Sequence, residues 1–164
     1  MVSSRLKNKE LKIKRAIIFI ALFLFSFVAI ASTDTREINC LAKNIYFEAR
    51  GETPTGMAAV GQVTRNRVTL GGYPDSYCKV VYQNKQFSWT AKHPKVDYSE
   101  ESWKQAKFIA AYTYYIGWPP TLVGEATHFH SGPSKNIWWA KNKTFKRVTS
   151  IGGHKFYIKK SGDS

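Results

Sequence analysis

The chain has 164 residues, of which 43% are hydrophobic, a size and composition that support one compact domain and exclude two. Its formal net charge is +14 at pH 7, and a basic surplus of this size indicates an anionic partner, whether nucleic acid, an anionic membrane or an acidic polymer. Charge alone does not choose among these three, so the choice depends on the motifs along the chain.

Residues 1–31 have the parts of a secretory signal peptide. A basic segment, residues 1–15, precedes an apolar run that ends in the small-x-small sequence Ala29-Ile30-Ala31. The apolar run, residues 16–31, is shorter than the roughly 20 residues that span a bilayer, which favours a cleaved signal peptide over an uncleaved anchor in the inner membrane. In both cases residues 32–164 are expected to be exported across the cytoplasmic membrane, to the periplasm or the cell wall.

The first helix of the exported part is predicted to run from about Asp34 to about Gly51. Asp34 and Glu37 have capping-box spacing, and Gly51 is a natural helix stop. Apolar residues at helical spacing then form one stripe along this helix: Ile38, Leu41, Ala42, Ile45 and Ala49.

Glu48 falls on the edge of this stripe, and Glu52 follows one turn later. Burial of a carboxyl raises its pKa, and a second negative charge at this spacing acts in the same direction. A carboxylic acid that keeps its proton near neutral pH is a candidate general acid, so both glutamates are candidate catalytic residues. The alternative is an acidic last turn in which Arg50 pairs with one of them as an ordinary surface ion.

A second helix is predicted to begin at Thr53-Pro54, as an N-cap followed by proline at the first helical position, and to stop near Gly71-Gly72. Its apolar face comprises Met57, Val60, Gly61, Thr64 and Val68. The two helices are expected to form a hairpin whose corner presents Glu48 and Glu52 to a cleft.

Cys40 and Cys78 are the two cysteines of the chain. In an oxidising compartment a disulfide between them is expected. The alternative is a pair of reduced, buried thiols.

The middle of the chain contains Gln86-Phe-Ser-Trp89, in which aromatic rings suit sugar faces and the polar side chains suit sugar hydroxyls. Phe87 and Trp89 are equally well explained as core residues. A further helix is predicted from Asp97 and Glu100, again at capping-box spacing, to about Ile116. Its expected buried face holds Trp103, Ala106, Ala110 and Tyr114, with Phe108 and Ala111 close by.

The carboxy-terminal part alternates in the manner of strands. Ala126–His130 suits a short strand that places His128 and His130 on one face, and Gly152-Gly153 suits the turn of a hairpin. Trp138 and Trp139 lie near the basic residues Lys141, Lys143, Lys146 and Arg147. We expect these residues to form a cleft rim, unless a tryptophan fills the core and the cations are merely solvated.

The motif Asn44-Ile-Tyr-Phe-Glu-Ala-Arg-Gly-Glu52, followed by Gly56, Ala59-Val60, Val63 and Asn66-Arg67, resembles the SleB-type cell wall hydrolase family. That family includes spore-cortex-lytic enzymes and bacterial or phage relatives that cut peptidoglycan. The resemblance extends over residues 40–157, although His128-Phe-His130 departs from many relatives. It implies an α+β, lysozyme-like (transglycosylase-type) single domain of helices plus a small carboxy-terminal β-hairpin.

The resemblance also implies cleavage of the MurNAc–GlcNAc bond of peptidoglycan by single-glutamate acid/base catalysis. Ordinary glycosidases need two carboxylates, and few acidic residues here are free of helix-start roles, so lytic transglycosylase chemistry by Glu48 fits best. A muramidase, in which Glu52 or Glu125 positions a water, remains open. The residues expected to bind substrate are Tyr46, Gln86, Phe87, Trp89, His128, His130 and Trp139.

Two other classes of function are alternatives to this one. A zinc-dependent N-acetylmuramoyl-L-alanine amidase would use histidines such as His128, His130, His93 or His154, but no His-Glu-x-x-His pattern is present. A basic cell-wall-binding or nucleic-acid-binding module is the non-enzyme alternative, and the export signal argues against nucleic acid. We therefore expect a monomeric enzyme without metal or cofactor.

Overall fold

The structure is a computed structural model that describes residues 14–15, 17–19, 32–132, 137, 139–141 and 143–160. Its contacts divide the chain into two units, residues 1–36 and residues 37–164. Every described residue of the first unit is helical. The predicted cleavage site at residues 29–31 lies outside the described residues, and no described helix is both long and apolar enough to cross a membrane.

Helix α1 carries the motif with Glu48 and covers residues 37–49 of the second unit. The predicted capping box at Asp34 is wrong: residues 32 to 34 are already helical, whereas a cap residue has non-helical backbone angles. The Glu37 carboxylate instead accepts a hydrogen bond from the main-chain N–H of Cys78 at 3.1 Å. Next to it, the predicted disulfide between Cys40 and Cys78 is present.

Helix α2, Pro54–Thr69, begins as predicted, since the Thr53 side chain accepts a hydrogen bond from the Gly56 N–H and Pro54 starts the helix. Its buried face packs against α1 in the main core cluster. A Cβ at Gly61 would lie 3.0 Å from Ile45 Cδ1 and 3.1 Å from Thr113 Oγ1. A glycine at this position therefore lets α2 pack closely against its neighbours.

Three further helical segments follow α2, and a 3-10 helix, Trp139–Lys141, lies later in the chain. Helix α3, Tyr77–Val81, is followed by a 3-10 helix, Ser88–Ala91, and then by α4, Glu101–Tyr115. The predicted capping box at Asp97 is wrong, because the Asp97 carboxylate accepts hydrogen bonds from Ser99, two residues later, and α4 begins only after Glu100.

Helix α4 buries Trp103, Ala106, Ile109, Ala110 and Thr113. Phe108, which was predicted close to the buried face, is 71% exposed. The buried stripe passes through Ile109 and Thr113, so Phe108 lies outside it. The helix ends before Gly117-Trp-Pro-Pro120 as predicted, since proline cannot continue the helix.

A three-stranded antiparallel sheet forms the carboxy-terminal part, in the order β1-β3-β2. Its strands are β1, His128–Ser131, β2, Phe145–Ile151, and β3, His154–Lys159. The predicted hairpin with its Gly152-Gly153 turn is present as β2 and β3, and β1 adds a third strand along β3. A smaller cluster centred on Ala59, Val63 and Phe156 packs the sheet against α2.

We expect the disulfide to contribute substantially to stability, because it closes a loop with a sequence separation of 38 residues. Replacing Cys40 and Cys78 together with serine should lower the free energy of unfolding by about 3–4 kcal/mol in the chain-entropy model. Denaturant unfolding measures this, with reduced wild-type protein as the control that should match the double variant. Free thiols in the purified, unreduced wild-type protein would contradict the bridge.

Candidate active site

Glu48 lies in the last turn of α1 and is half-buried in the wall of a cleft of about 980 Å³. The apolar stripe of the helix holds it there, since Leu41 and Ile45 on the same face are fully buried. The rest of the cleft comes from α2, from the segment after α3, and from the sheet and its connections. Its other lining residues are Arg67, Tyr82, Asn84, Lys85, Gln86, Phe87, Ser88, Thr90, Ala91, His93, Phe129, Ile137 and Trp139.

The electrostatics of the cleft depend on Glu48 and Arg67. Burial raises the pKa of Glu48, and the positive charge of Arg67 lowers that pKa by a smaller amount. Burial also lowers the pKa of Arg67 to about 10. The site therefore holds a carboxyl whose pKa is above its ordinary value, beside a buried guanidinium.

Arg67 is 4% exposed and is held from several sides. Its Nε donates to the carbonyl of Thr127 at 2.7 Å, and its guanidinium lies 5.2 Å from the ring centroid of Phe87 and 5.6 Å from that of Tyr73. Its Nη1 is buried and has no hydrogen-bond partner among the described residues. Arg67 thus offers an unused donor next to the cleft.

Sequence reasoning did not select Arg67 as a site residue, although a signal was available. Arg67 follows Thr64 by three residues and Val60 by seven, so it shares the buried face of α2. A cation on such a face is costly unless it is paired. This cost predicts that Arg67 lies near an anionic group in the folded protein.

The Gln86–Trp89 segment is divided between the cleft and the core. Gln86 and Phe87 line the cleft. Trp89 does not line it, and its Nε1 donates to the Asn44 side chain at 3.2 Å, while Asn44 donates to Thr64 at 3.1 Å. Trp89 therefore joins the 3-10 helix to α1 and, through Asn44, to α2.

Tyr46, which was also predicted to bind substrate, is 1% exposed and belongs to the main core cluster. Its hydroxyl donates to the Glu100 carboxylate and accepts from Arg50 at 3.2 Å. The fold therefore does not bring Tyr46 to the cleft surface.

His128, His130 and Trp139 form an aromatic group on the sheet. The rings of His128 and His130 lie 5.2 and 5.8 Å from that of Trp139, and His130 Nε2 is 3.1 Å from the Tyr157 hydroxyl. Burial is the main cause that lowers the pKa of His128 to about 4. Of the three, Trp139 lines the cleft.

Trp138 lies outside the described residues. Within the described part of the chain, no group of three His, Cys, Asp or Glu side chains is arranged to hold a metal ion.

Glu52 does not line the cleft with Glu48. Its carboxylate accepts hydrogen bonds from the Gly153 N–H at 3.0 and 3.2 Å, and Oε1 lies 3.4 Å from His154 Nδ1. Glu125, the other predicted water-positioning carboxylate, lines a different hollow with Tyr73 and Lys159. The structure thus places Glu48 in the cleft and these two glutamates elsewhere.

Comparison with known proteins gives one family. A family model described as Cell Wall Hydrolase matches residues 51–157, a range that begins three residues after Glu48. Two curated Bacillus cereus proteins, each named spore cortex-lytic enzyme, are 31% identical over 123 residues, 73% of this chain and 43% of theirs. The chain thus spans less than half the length of these relatives.

A solved structure supports the same grouping. The crystal structure of the catalytic domain of the Bacillus cereus SleB protein matches with a TM-score of 0.58 and 29% identity, over 76% of this chain and 91% of that one. The predicted α+β, lysozyme-like fold is confirmed by this match.

Burial raises the pKa of Glu48 and the charge of Arg67 lowers it, which predicts the effect of removing that charge. Arg67→Met should raise the pKa of Glu48 further, because the one charge that lowers it is lost. NMR titration of labelled glutamate carboxyls measures this shift.

Arg65→Met is the matched control, since it also removes an arginine of α2 that donates to main-chain carbonyls, those of Thr113 and Tyr114. It should leave the Glu48 pKa unchanged. A fall in the pKa of Glu48 in folded Arg67→Met would contradict the assigned electrostatics.

Proposed function

Because the chain belongs to the Cell Wall Hydrolase family, we propose that it cleaves the MurNAc–GlcNAc bond of peptidoglycan as a lytic transglycosylase, with Glu48 as its general acid and base. The observation that carries this proposal is the position of Glu48, half-buried in a large cleft with its pKa raised by burial. A raised pKa keeps the carboxyl protonated at a pH where an ordinary glutamate is ionised. Such a group can protonate the oxygen that leaves when a glycosidic bond breaks.

The distribution of carboxylates supports a single-acid mechanism. Among the described residues, Glu48 is the one carboxylate that lines the cleft. Ordinary glycosidases use a pair of carboxylates, one on each side of the bond that is cleaved. In the proposed reaction Glu48 gives its proton to the leaving oxygen and then, as a carboxylate, accepts the proton of the 6-hydroxyl of the muramic acid. That hydroxyl oxygen attacks the anomeric carbon, so the product is a 1,6-anhydro sugar and no water is consumed.

Arg67 supports this chemistry in two ways. Its charge stabilises the carboxylate that forms when Glu48 gives up its proton, which assists transfer of that proton to the leaving oxygen. Its guanidinium also lines the cleft, which places a positive charge beside the bound polymer. Since the acid must begin protonated, we expect cleavage to decline as the pH rises through the raised pKa of Glu48.

Aromatic and polar side chains around the cleft suit a sugar polymer. Phe87, Phe129 and Trp139 supply rings to its wall, and Gln86 and Asn84 supply amides. The part of the chain after residue 31 carries +9 of the total +14, since residues 1–31 carry +5, and this positive charge is compatible with an acidic polymer as partner. We accordingly propose that this part acts outside the cytoplasmic membrane, after residues 1–31 have directed export as a signal peptide or anchor.

We expect Glu48→Gln to abolish wall lysis while leaving the fold intact. The amide is nearly isosteric but has no proton to give, and loss of a general acid costs on the order of a hundredfold to ten-thousandfold in rate. Clearing of purified cell walls measures the activity.

Glu101→Gln is the matched control, because it makes the same change at an exposed carboxylate on α4 that pairs with Lys104. It should clear walls at the wild-type rate. A folded Glu48→Gln protein that keeps more than a tenth of wild-type activity would rule out Glu48 as the acid.

The products distinguish the proposed reaction from its alternatives. Mass spectrometry of digested peptidoglycan should find anhydro-muramic ends, because the attacking hydroxyl belongs to the sugar. Reducing ends would instead indicate a muramidase, and free peptides would indicate an amidase. If Glu48→Gln and wild type both bind walls and neither releases any product, the chain is a binding module.

A further inference from the structure

The corner after α1 is joined to the tip of the β2–β3 hairpin by Glu52. Its two carboxylate oxygens accept from the Gly153 N–H, a contact between residues 101 positions apart in sequence. The two glycines of the turn leave room for this carboxylate. A Cβ at Gly152 would overlap Glu52 Oε2, and one at Gly153 would lie 2.9 Å from Oε1.

His154, the first residue of β3, lies beneath this contact. It is 3% exposed, its Nδ1 is 3.4 Å from Glu52 Oε1, and its ring packs at 5.4 Å from that of Phe129, a residue of the cleft wall. Burial lowers the pKa of His154, and the nearby Glu52 carboxylate and Glu48 main chain act in the opposite direction.

The main chain at Glu48 is not held by a further turn of α1. Residue 48 lies in the last turn of α1, where carbonyls lack the N–H of a following helical turn. The N–H of Glu52, which would serve Glu48 in a longer helix, donates instead to the carbonyl of Ala49 at 2.9 Å. The position of Glu48 therefore depends on what holds the corner after α1.

We propose that Glu52, His154 and the Gly152-Gly153 turn form a clamp that fixes the position of Glu48 in the cleft. Glu52 and His154 are positioning residues in this arrangement, and neither transfers a proton to or from the substrate. Glu52 joins the corner after α1 to the turn, and His154 packs against Glu52 and against Phe129 of the cleft wall. The proposal rests on the proposed function, in which Glu48 is the catalytic residue.

A clamp of this kind matters because an acid must stay within hydrogen-bond reach of the leaving oxygen. The end of a helix is also its least constrained part, and the chain turns at Arg50 and Gly51, directly after α1. The hairpin tip restrains this corner from outside the helix.

The test uses two glycines with similar backbone angles. Gly152→Ala should displace the Glu52 carboxylate, whereas Gly72→Ala introduces a methyl at the same kind of left-handed position with nothing within 4 Å. Both variants place an alanine at a positive φ, +56° at Gly152 and +76° at Gly72, so both carry backbone strain. Gly152→Ala is the variant that breaks the clamp.

Gly152→Ala should lower kcat on peptidoglycan by on the order of tenfold to a hundredfold, the cost of misplacing a catalytic group, with KM little changed. Gly72→Ala should keep the wild-type kcat. Glu52→Ala should reproduce the loss, and the Glu52→Ala, Gly152→Ala double variant should lose no more than either alone. His154→Gln, which keeps a polar side chain beside Glu52, should retain more activity than His154→Ala.

A second readout does not depend on the reaction. In NMR titration without substrate, Gly152→Ala should move the pKa of Glu48 towards its ordinary value, since a loosened corner admits water, and Gly72→Ala should not. If Gly152→Ala matches Gly72→Ala in both kcat and this pKa, the clamp is wrong. If the pKa moves but the wild-type products show another bond cleaved, the proposed function fails and the clamp stands.

Discussion

The burial of Glu48 at the edge of α1 is the constraint on which the rest of the site depends. The apolar face of α1 packs against α2, and Gly61 lets the two helices approach until Ile45 fills the space between them. Water is thereby removed from one side of the Glu48 carboxyl, and the cost of ionising it rises. The same packing that stabilises the fold therefore produces the chemical property on which the proposed catalysis relies.

Arg67 is a second buried charge in this arrangement, and the fold supplies it with partners. A buried guanidinium without partners would be strongly destabilising, and the fold surrounds Arg67 with two aromatic rings and the carbonyl of Thr127. Because Thr127 immediately precedes β1, the same hydrogen bond attaches the sheet to α2. One residue thus contributes to the electrostatics of the cleft and to the placement of its far wall.

The sheet provides part of the cleft wall and contacts the corner after α1. His128, His130 and Tyr157 pack around Trp139, which explains the alternation of histidines along β1 as the pairing of rings on one strand face. The edge of this group reaches the cleft through Trp139. Elsewhere in the sheet, the hairpin tip meets the corner after α1 through Glu52.

The sequence by itself determined the features that depend on local periodicity and chain stops. Neighbouring residues predict the stripe of α1 with Glu48 at its edge, the Thr53-Pro54 start of α2 and the Gly152-Gly153 turn. The Cys40–Cys78 bridge was predicted from the number of cysteines and the expected export, and it is present. Only the tertiary structure decided which groups meet. Asp34 and Asp97 do not cap helices, Tyr46 and Trp89 fill the core, and Glu52 joins a turn 101 residues away. The physical reason is that hydrogen bonds and charges are satisfied by whatever the fold brings near, and spacing along the chain carries no information about partners so distant.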